Sequence, residues 1–330
     1  MPITSDMTFQ QIWDTPEFSG WQHMVDYRRE NVNPDIDAQT VDQFSRETGW
    51  SAAQMRDSLN FVLERCQAGQ VFYPLYDSCE NGKSLTGLAA FPLPRKSKFA
   101  VIVPGGGYGA VCSLIDGYSY ARQLNAMGYA AFVVCYRVSP HTQPAPQQDL
   151  AQAIRLIFAH AQQWNLDCSD YAVMGFSAGG HLAGSFGTQA LGYAAYGLPK
   201  PGTMILCYPV VSMSHPAWHE WSARMFLSEA RMNEPDLTRF WSLERRVDGS
   251  YPPTYLWQCQ GDPAVDVQNS ALMAQALQDH GVRSIYEVFP YASHGLPEDA
   301  QSVLPSGCNA LWHSGNPNTG GNLWDFKPIP

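Results

Sequence analysis

The sequence predicts an α/β domain built on a mostly parallel, doubly wound sheet with helices on both faces. Three observations carry that expectation. From Val71 onward, short apolar runs alternate with helical stretches, the pattern of strands joined by crossover helices. Two of the runs, 99–103 and 129–136, are continuously apolar, as a strand covered on both faces is. Finally, Gly175-Phe176-Ser177-Ala178-Gly179 falls directly between one such run and a helix.

Residues 1–70 read as a helical N-terminal extension, rich in Gln, Asp, Arg and Trp. One helix is expected over 38–47, closing near Gly49. A second is expected over 51–66, with Ser51 as its cap and Gly69 as its stop. Its residues Met55, Leu59, Val62, Leu63 and Cys66 fall on one face. Residues 71–330 form the main domain. Runs 71–76 and 85–91 read as an opening antiparallel pair. Strand 99–103, helix 118–127, strand 129–136 and helix 146–164 come next, then strand 171–174 and helix 178–190. Strands at 204–207 and 254–258, helix 270–280 and strand 284–289 complete the series. Between 212 and 252 the alternation lapses into a Trp-, Arg- and Met-rich stretch, expected to form a lid over the sheet.

Composition narrows the function. Of the 330 residues, 45% are apolar and 15% charged, enough for a sizeable core. The net charge of −10, without a basic patch, argues against nucleic acid or an anionic membrane as partner. No run reaches the ~18 apolar residues of a membrane helix. Met1 to Asp6 carry no positive or apolar leader, so no signal peptide is expected. The eight cysteines are scattered without a Cys-x-x-Cys pair and read as free thiols of a cytoplasmic protein. No metal or cofactor is expected.

The chemistry starts at Ser177. A serine on a sharp strand-to-helix turn is exposed for attack, and the turn needs small neighbours two residues to each side, here Gly175 and Gly179. Attack on an acyl carbon creates an oxyanion that needs preorganised N–H donors. Ala178, at the start of the helix, supplies one. Gly106 and Gly107 in Pro104-Gly105-Gly106-Gly107-Tyr108, just after strand 99–103, supply the others. The loop also nearly fits a relaxed dinucleotide-binding pattern at 105, 107 and 110, which the serine turn downstream disfavours.

The serine needs a histidine base, and the base needs a carboxylate, in the chain order Ser, acid, His. His294 lies in the loop after the last strand and is the expected base. His181 sits on the serine helix and points along it. His215 and His219 lie in the lid, His280 at a helix end and His313 in the tail. Asp262, just past strand 254–258, is the expected acid. Asp266 is its rival, with helix capping as its alternative role. Asp149, Asp170 and Asp248 read as caps or solvent-facing. Tyr108, Trp218 and Trp221 are candidate substrate contacts, and tryptophans of the lid, Trp241 included, are candidate sugar platforms.

Taken together, Pro-Gly-Gly-Gly-Tyr at 104–108, Tyr136-Arg137-Val138, Gly-Phe-Ser-Ala-Gly-Gly-His-Leu-Ala at 175–183, Tyr208-Pro209-Val210, Gly261-Asp262 and Ser293-His294-Gly295-Leu296 resemble one family. It is the acetyl-esterase/xylan-esterase-like branch of the α/β-hydrolases, among the lipolytic carboxylesterases. The resemblance covers roughly residues 85–300. It implies the α/β-hydrolase fold and a metal-independent, two-step acyl transfer on small-molecule esters, often acetyl esters of sugars. An arylformamidase, a small peptidase or a non-catalytic binder on the same fold are the alternatives. The extension before residue 70 and the tail 308–330 depart from the family. Either is expected to cover the site or to form a homo-oligomer contact.

Overall fold

The computed structural model describes residues 1–25 and 35–296. The chain opens with four helices: α1 (Phe9–Trp13), α2 (Gln22–Val25), α3 (Val41–Thr48) and α4 (Ala52–Ala68). Local chemistry starts and stops them. Thr8 with Gln11, and Thr40 with Gln43, form capping boxes at α1 and α3. Residues 36–38 form a separate 3₁₀ turn, so α3 begins three residues later than the expected 38. It closes at Gly49, whose φ of 75° is left-handed. The Ser51 hydroxyl accepts from the Gln54 amide at 3.1 Å to start α4. On α4, Met55, Leu59, Val62 and Leu63 are buried, while Cys66 is half-buried. α1 and α2 span barely one turn each, too short to leave a periodic signal.

The extension and the sheet share one interior. The buried residues of the helices belong to an apolar core continuous with that of the strands. The Tyr118 hydroxyl donates to the Met24 carbonyl across the boundary.

Eight strands form one sheet: β1 (Phe72–Tyr73), β2 (Gly87–Phe91), β3 (Ser97–Val103), β4 (Ala130–Cys135), β5 (Leu166–Phe176), β6 (Thr203–Cys207), β7 (Thr254–Cys259) and β8 (Ser284–Phe289). Their spatial order is β1-β2-β4-β3-β5-β6-β7-β8. β1 with β2 and β2 with β4 pair antiparallel, and every other pair is parallel. β1 is shorter than the expected 71–76 because Pro74 has no amide to continue the ladder. Helices α5 (Ser119–Ala126), α6 (Ala145–Ala159), α7 (Ser177–Phe186) and α10 (Gln268–Asp279) connect parallel strands. Right-handed crossovers place α5 on one face and the other three on the opposite face, since the winding direction reverses after β4. α4 packs against α5 and the turn 113–118 before it.

That reversal fixes where a ligand can sit. β3 and β5 are neighbours, with Val103 beside Gly175 in the register. The loops leaving their C-terminal ends therefore emerge side by side, at the switch point where open α/β sheets bind ligands.

Over this edge lie α8 (Glu220–Leu227) and α9 (Pro235–Trp241), within the expected insertion 212–252. They are anchored by His181 of α7. One of its ring nitrogens pairs with the Tyr108 hydroxyl and the other with the Trp241 carbonyl, each at 2.7 Å. Phe226 of α8 stacks on Tyr108 at 4.5 Å. The expectation of a cap or solvent role for Asp149 is corrected. Its side chain is 0% exposed and accepts from the Arg137 guanidinium, the Arg137 amide and the Tyr76 hydroxyl. A buried charge persists only when paired this fully. Among the described residues, no helix is long and apolar enough to cross a membrane, and seven cysteines take part in no disulfide.

His181 makes the fold pH-sensitive. Burial lowers its pKa from 6.5 to about 4, the Trp241 carbonyl notwithstanding. The unfolded chain therefore takes up a proton between those values that the folded chain refuses. Stability is full above about pH 6.5 and falls as pH drops toward 4, by about 3 kcal/mol from this group. Urea melts at pH 7.5, 6, 5 and 4 should show that loss in the wild type. His181→Asn, though less stable throughout, should lack this part of the slope; equal slopes in the two proteins would contradict the assignment.

Candidate active site

Ser177 stands where β5 ends and α7 begins. Its φ of 52° is left-handed, an uncommon and strained setting for a residue with a side chain. The glycines of the motif make the setting possible. A Cβ on Gly179 would lie 2.2 Å from the Pro104 carbonyl oxygen and 2.3 Å from that of Val103. A Cβ on Gly175 would lie 2.3 Å from the Gly179 carbonyl oxygen. Helix α7 thus rests on backbone with no room for a side chain at either position.

Asp262 occupies the turn after β7, and His294 the loop after β8. The structure brings both to Ser177. His294 Nε2 lies 2.9 Å from Ser177 Oγ, and His294 Nδ1 lies 2.8 Å from Asp262 Oδ2 and 3.0 Å from Oδ1. A carboxylate beside Nδ1 selects the tautomer with its proton there, which leaves Nε2 as acceptor for the serine hydroxyl. Asp262 is fixed in turn by the Ala264 and Val265 amides, at 2.9 and 3.0 Å, and by Gln258 Nε2 at 3.2 Å. Burial pushes the Asp262 carboxyl up. The His294 ring and the two amides outweigh that and hold it below its ordinary range.

The rival residues lie elsewhere. Asp266 is exposed and accepts from the Gln268 amide at the start of α10. Asp170 pairs with Lys98, and Asp248 closes a turn on Ser250. His280 bonds the Ala276 carbonyl at the end of α10. His313 and the tail 308–330 lie outside the described residues. His215 and His219 have the i, i+4 spacing of a helical ligand pair, but both precede α8 and share no helix face. Among the described residues, no three His, Cys, Asp or Glu side chains gather as a metal-ion ligand set.

The glycine loop after β3 runs beside Ser177. Gly106 and Gly107 have φ of 123° and 62°, angles that side chains resist. Their amides make no hydrogen bond among the described residues. Ala178 lies in the first turn of α7, where a helix leaves its amides without internal partners. Gly106 and Gly107 line the same cavity as Ser177, and Ala178 follows the serine in the chain.

The expected substrate contacts divide. Tyr108 is corrected: it is 1% exposed, its ring lies on Phe226 and its hydroxyl on His181, so it packs the loop instead of meeting a ligand. Trp218 is half-buried beside His215 and does not line the cavity. Trp221 is 41% exposed and does line it, its indole so close to Gly107 that a Cβ there would meet it at 2.6 Å.

The cavity holds about 950 Å³ and opens over Ser177 and His294. One wall comes from the N-terminal extension, expected either to cover the site or to form an oligomer contact, and two floor residues have no counterpart among the sequence-based expectations. That wall is the elbow between α3 and α4, with Trp50 at its centre. Its floor includes Asp116 and Tyr208. Tyr208 carries a motif signal, Tyr-Pro-Val, without a role. Asp116 carries none, since its irregular turn at 113–118 has no sequence signature.

The chain is similar to several known proteins. The family model described as BD-FAE matches residues 92–193. The chain is 35% identical over 209 residues to endo-1,4-beta-xylanase B of Butyrivibrio fibrisolvens, covering 59% of this chain and 32% of that protein. It is 32% identical over 196 residues to the acetylxylan esterase of Xylanibacter ruminicola, covering 59% of this chain and 40% of that one. The chain thus spans well under half the length of these curated relatives. Among solved structures, the acetyl ester-xyloside bifunctional hydrolase of Caldicellulosiruptor lactoaceticus superposes with a TM-score of 0.64 at 31% identity, over 74% of this chain and 95% of that one. The chain belongs to the BD-FAE family of α/β-hydrolase-fold esterases.

Proposed function

We propose that the chain hydrolyses short-acyl carboxylic esters, acetyl esters of carbohydrates foremost, through an acyl-enzyme on Ser177. The observation that carries this is the unbroken relay from Ser177 Oγ through His294 to Asp262, at 2.9 and 2.8 Å. The carbohydrate part leans on what the relatives are named for and on the size of the cavity, ample for more than an acetyl group.

The steps use only the atoms present. Ser177 Oγ attacks the acyl carbon while its proton passes to His294 Nε2. The former carbonyl oxygen, now negative, faces the Gly106, Gly107 and Ala178 amides. Asp262 stabilises the imidazolium and keeps its orientation. The tetrahedral intermediate collapses, the C–O bond to the alcohol breaks, and His294 returns the proton to the leaving oxygen. Water then repeats the sequence on the acyl-enzyme, releasing the acid and restoring Ser177.

Two experiments test this reading. Ser177→Ala should abolish hydrolysis of p-nitrophenyl acetate. Asp262→Asn should lower kcat by roughly 10⁴-fold, whereas Asp266→Asn should leave it nearly unchanged. An active Ser177→Ala protein, or the reverse ranking of the two aspartates, would overturn the assignment.

The substrate class is tested by a panel. Acetyl esters should be turned over faster than octanoyl esters, and acetylated oligosaccharides should be good substrates. Trp221→Ala should raise KM for the oligosaccharides by roughly three- to tenfold more than KM for p-nitrophenyl acetate, the range expected for loss of one stacking contact. Equal effects on both substrates would remove Trp221 from sugar recognition. Failure to deacetylate any oligosaccharide would remove the substrate class.

A further inference from the structure

The floor of the cavity holds a second carboxylate that the proton relay does not use. Asp116 is 6% exposed, on the turn after the glycine loop. Its two oxygens have different partners. Oδ2 accepts from the Gly105 amide at 3.0 Å, and Oδ1 accepts from the Tyr208 hydroxyl at 2.8 Å. Both partners donate to it, which favours the carboxylate, while burial is the larger effect and pushes the Asp116 carboxyl above its ordinary range. A carboxylate this buried costs stability unless something holds it in place, and here two hydrogen bonds do.

What those two bonds reach is the catalytic apparatus, from two directions. Gly105 immediately precedes the amides of Gly106 and Gly107. It is wedged so closely that a Cβ on it would lie 2.8 Å from Asp116 Oδ2 and 3.0 Å from Ser177 Cβ. Tyr208 sets its ring edge-to-face against the His294 imidazole, with centroids 4.7 Å apart and planes at 67°. Tyr208 is itself held in an unusual conformation, with φ of 39° and its amide bonded to the Trp257 carbonyl at 2.7 Å. Its ring also borders Gly295, the residue after the base. One carboxylate therefore ties the loop that would receive the oxyanion to the ring that supports the base.

We propose that Asp116 is a positioning residue of this site, holding the oxyanion loop through the Gly105 amide and the His294 ring by way of Tyr208. The inference rests on the hydrolytic reading above. Asp116 touches neither substrate nor any transferred proton. It sets where the donors and the base stand when charge develops, so its effect belongs in the transition state and not in substrate binding.

The test combines kinetics with a transition-state mimic. With p-nitrophenyl acetate, Asp116→Ala should lower kcat by roughly 10²-fold, near the loss for one oxyanion donor, with KM changed less than about threefold. Affinity for an alkyl boronic acid, which places a tetrahedral oxygen in the same hole, should fall in parallel. Tyr208→Phe, which removes only the hydroxyl, should lower kcat by roughly tenfold. The double variant should be no slower than Asp116→Ala alone, because the two residues act as one unit. Asp116→Asn keeps the shape and one acceptor, and should recover part of the loss. If Asp116→Ala does not fold, Tyr208→Phe and Asp116→Asn carry the same comparison of kcat, KM and boronate affinity.

Wild-type kcat in folded Asp116→Ala, a loss confined to KM, or additive losses in the double variant would overturn the proposal. Activity in Ser177→Ala would instead overturn the hydrolytic reading. An inactive Ser177→Ala with a normal Asp116→Ala would defeat this inference alone.

Discussion

The active end of the molecule depends on how closely α7 approaches β3. Gly179 lies against the carbonyls of Val103 and Pro104 with no room for a Cβ. That contact sets Ser177 beside the glycine loop, and the β3–β5 register, with Val103 next to Gly175, brings both to the same height on the sheet. Other parts of the site are added from farther along the chain: Asp262 after β7, His294 after β8, and the α8–α9 insertion between β6 and β7. Each arrives at the same edge because parallel strands all end there.

Buried carboxylates then hold the parts in place. Asp149 binds Arg137 and Tyr76 beyond the end of β4. Asp262 is gripped by two amides and an imidazole, and Asp116 by an amide and a tyrosine. Each would be costly alone and is stable because every oxygen has donors. The neutral His181 does the same for the α8–α9 insertion, joining the glycine loop to Trp241 through a ring that burial keeps uncharged.

Much of this is legible in the sequence, for identifiable reasons. The parallel strands declare themselves because burial on both faces demands continuous apolar runs, as at 130–135. The serine turn is legible because its sterics admit only glycine two residues to each side. Asp262 and His294 are marked by chain order and by their places after strands. What escapes is whatever depends on contact between distant segments. Tyr108 looks exposed in a glycine loop, yet its φ of 60° turns the ring into the core against Phe226. Asp149 looks like a helix cap, but its partner Arg137 lies twelve residues away, before α6 begins. The extension is foreseen at the site as one of two alternatives, but which part of it arrives there, the α3–α4 elbow, depends on the packing of α4 on the turn 113–118, a tertiary event. Helix ends are the least readable, because caps and proline decide them one residue at a time.

In the proposed reaction Ser177, activated by His294, is the nucleophile. The most direct measurement is covalent labelling with a fluorophosphonate, then intact-mass analysis and peptide mapping. A single adduct is expected, on the peptide containing Ser177, absent in Ser177→Ala and strongly slowed in His294→Ala. An adduct on another residue, or ester hydrolysis that persists in a protein no fluorophosphonate can label, would contradict it.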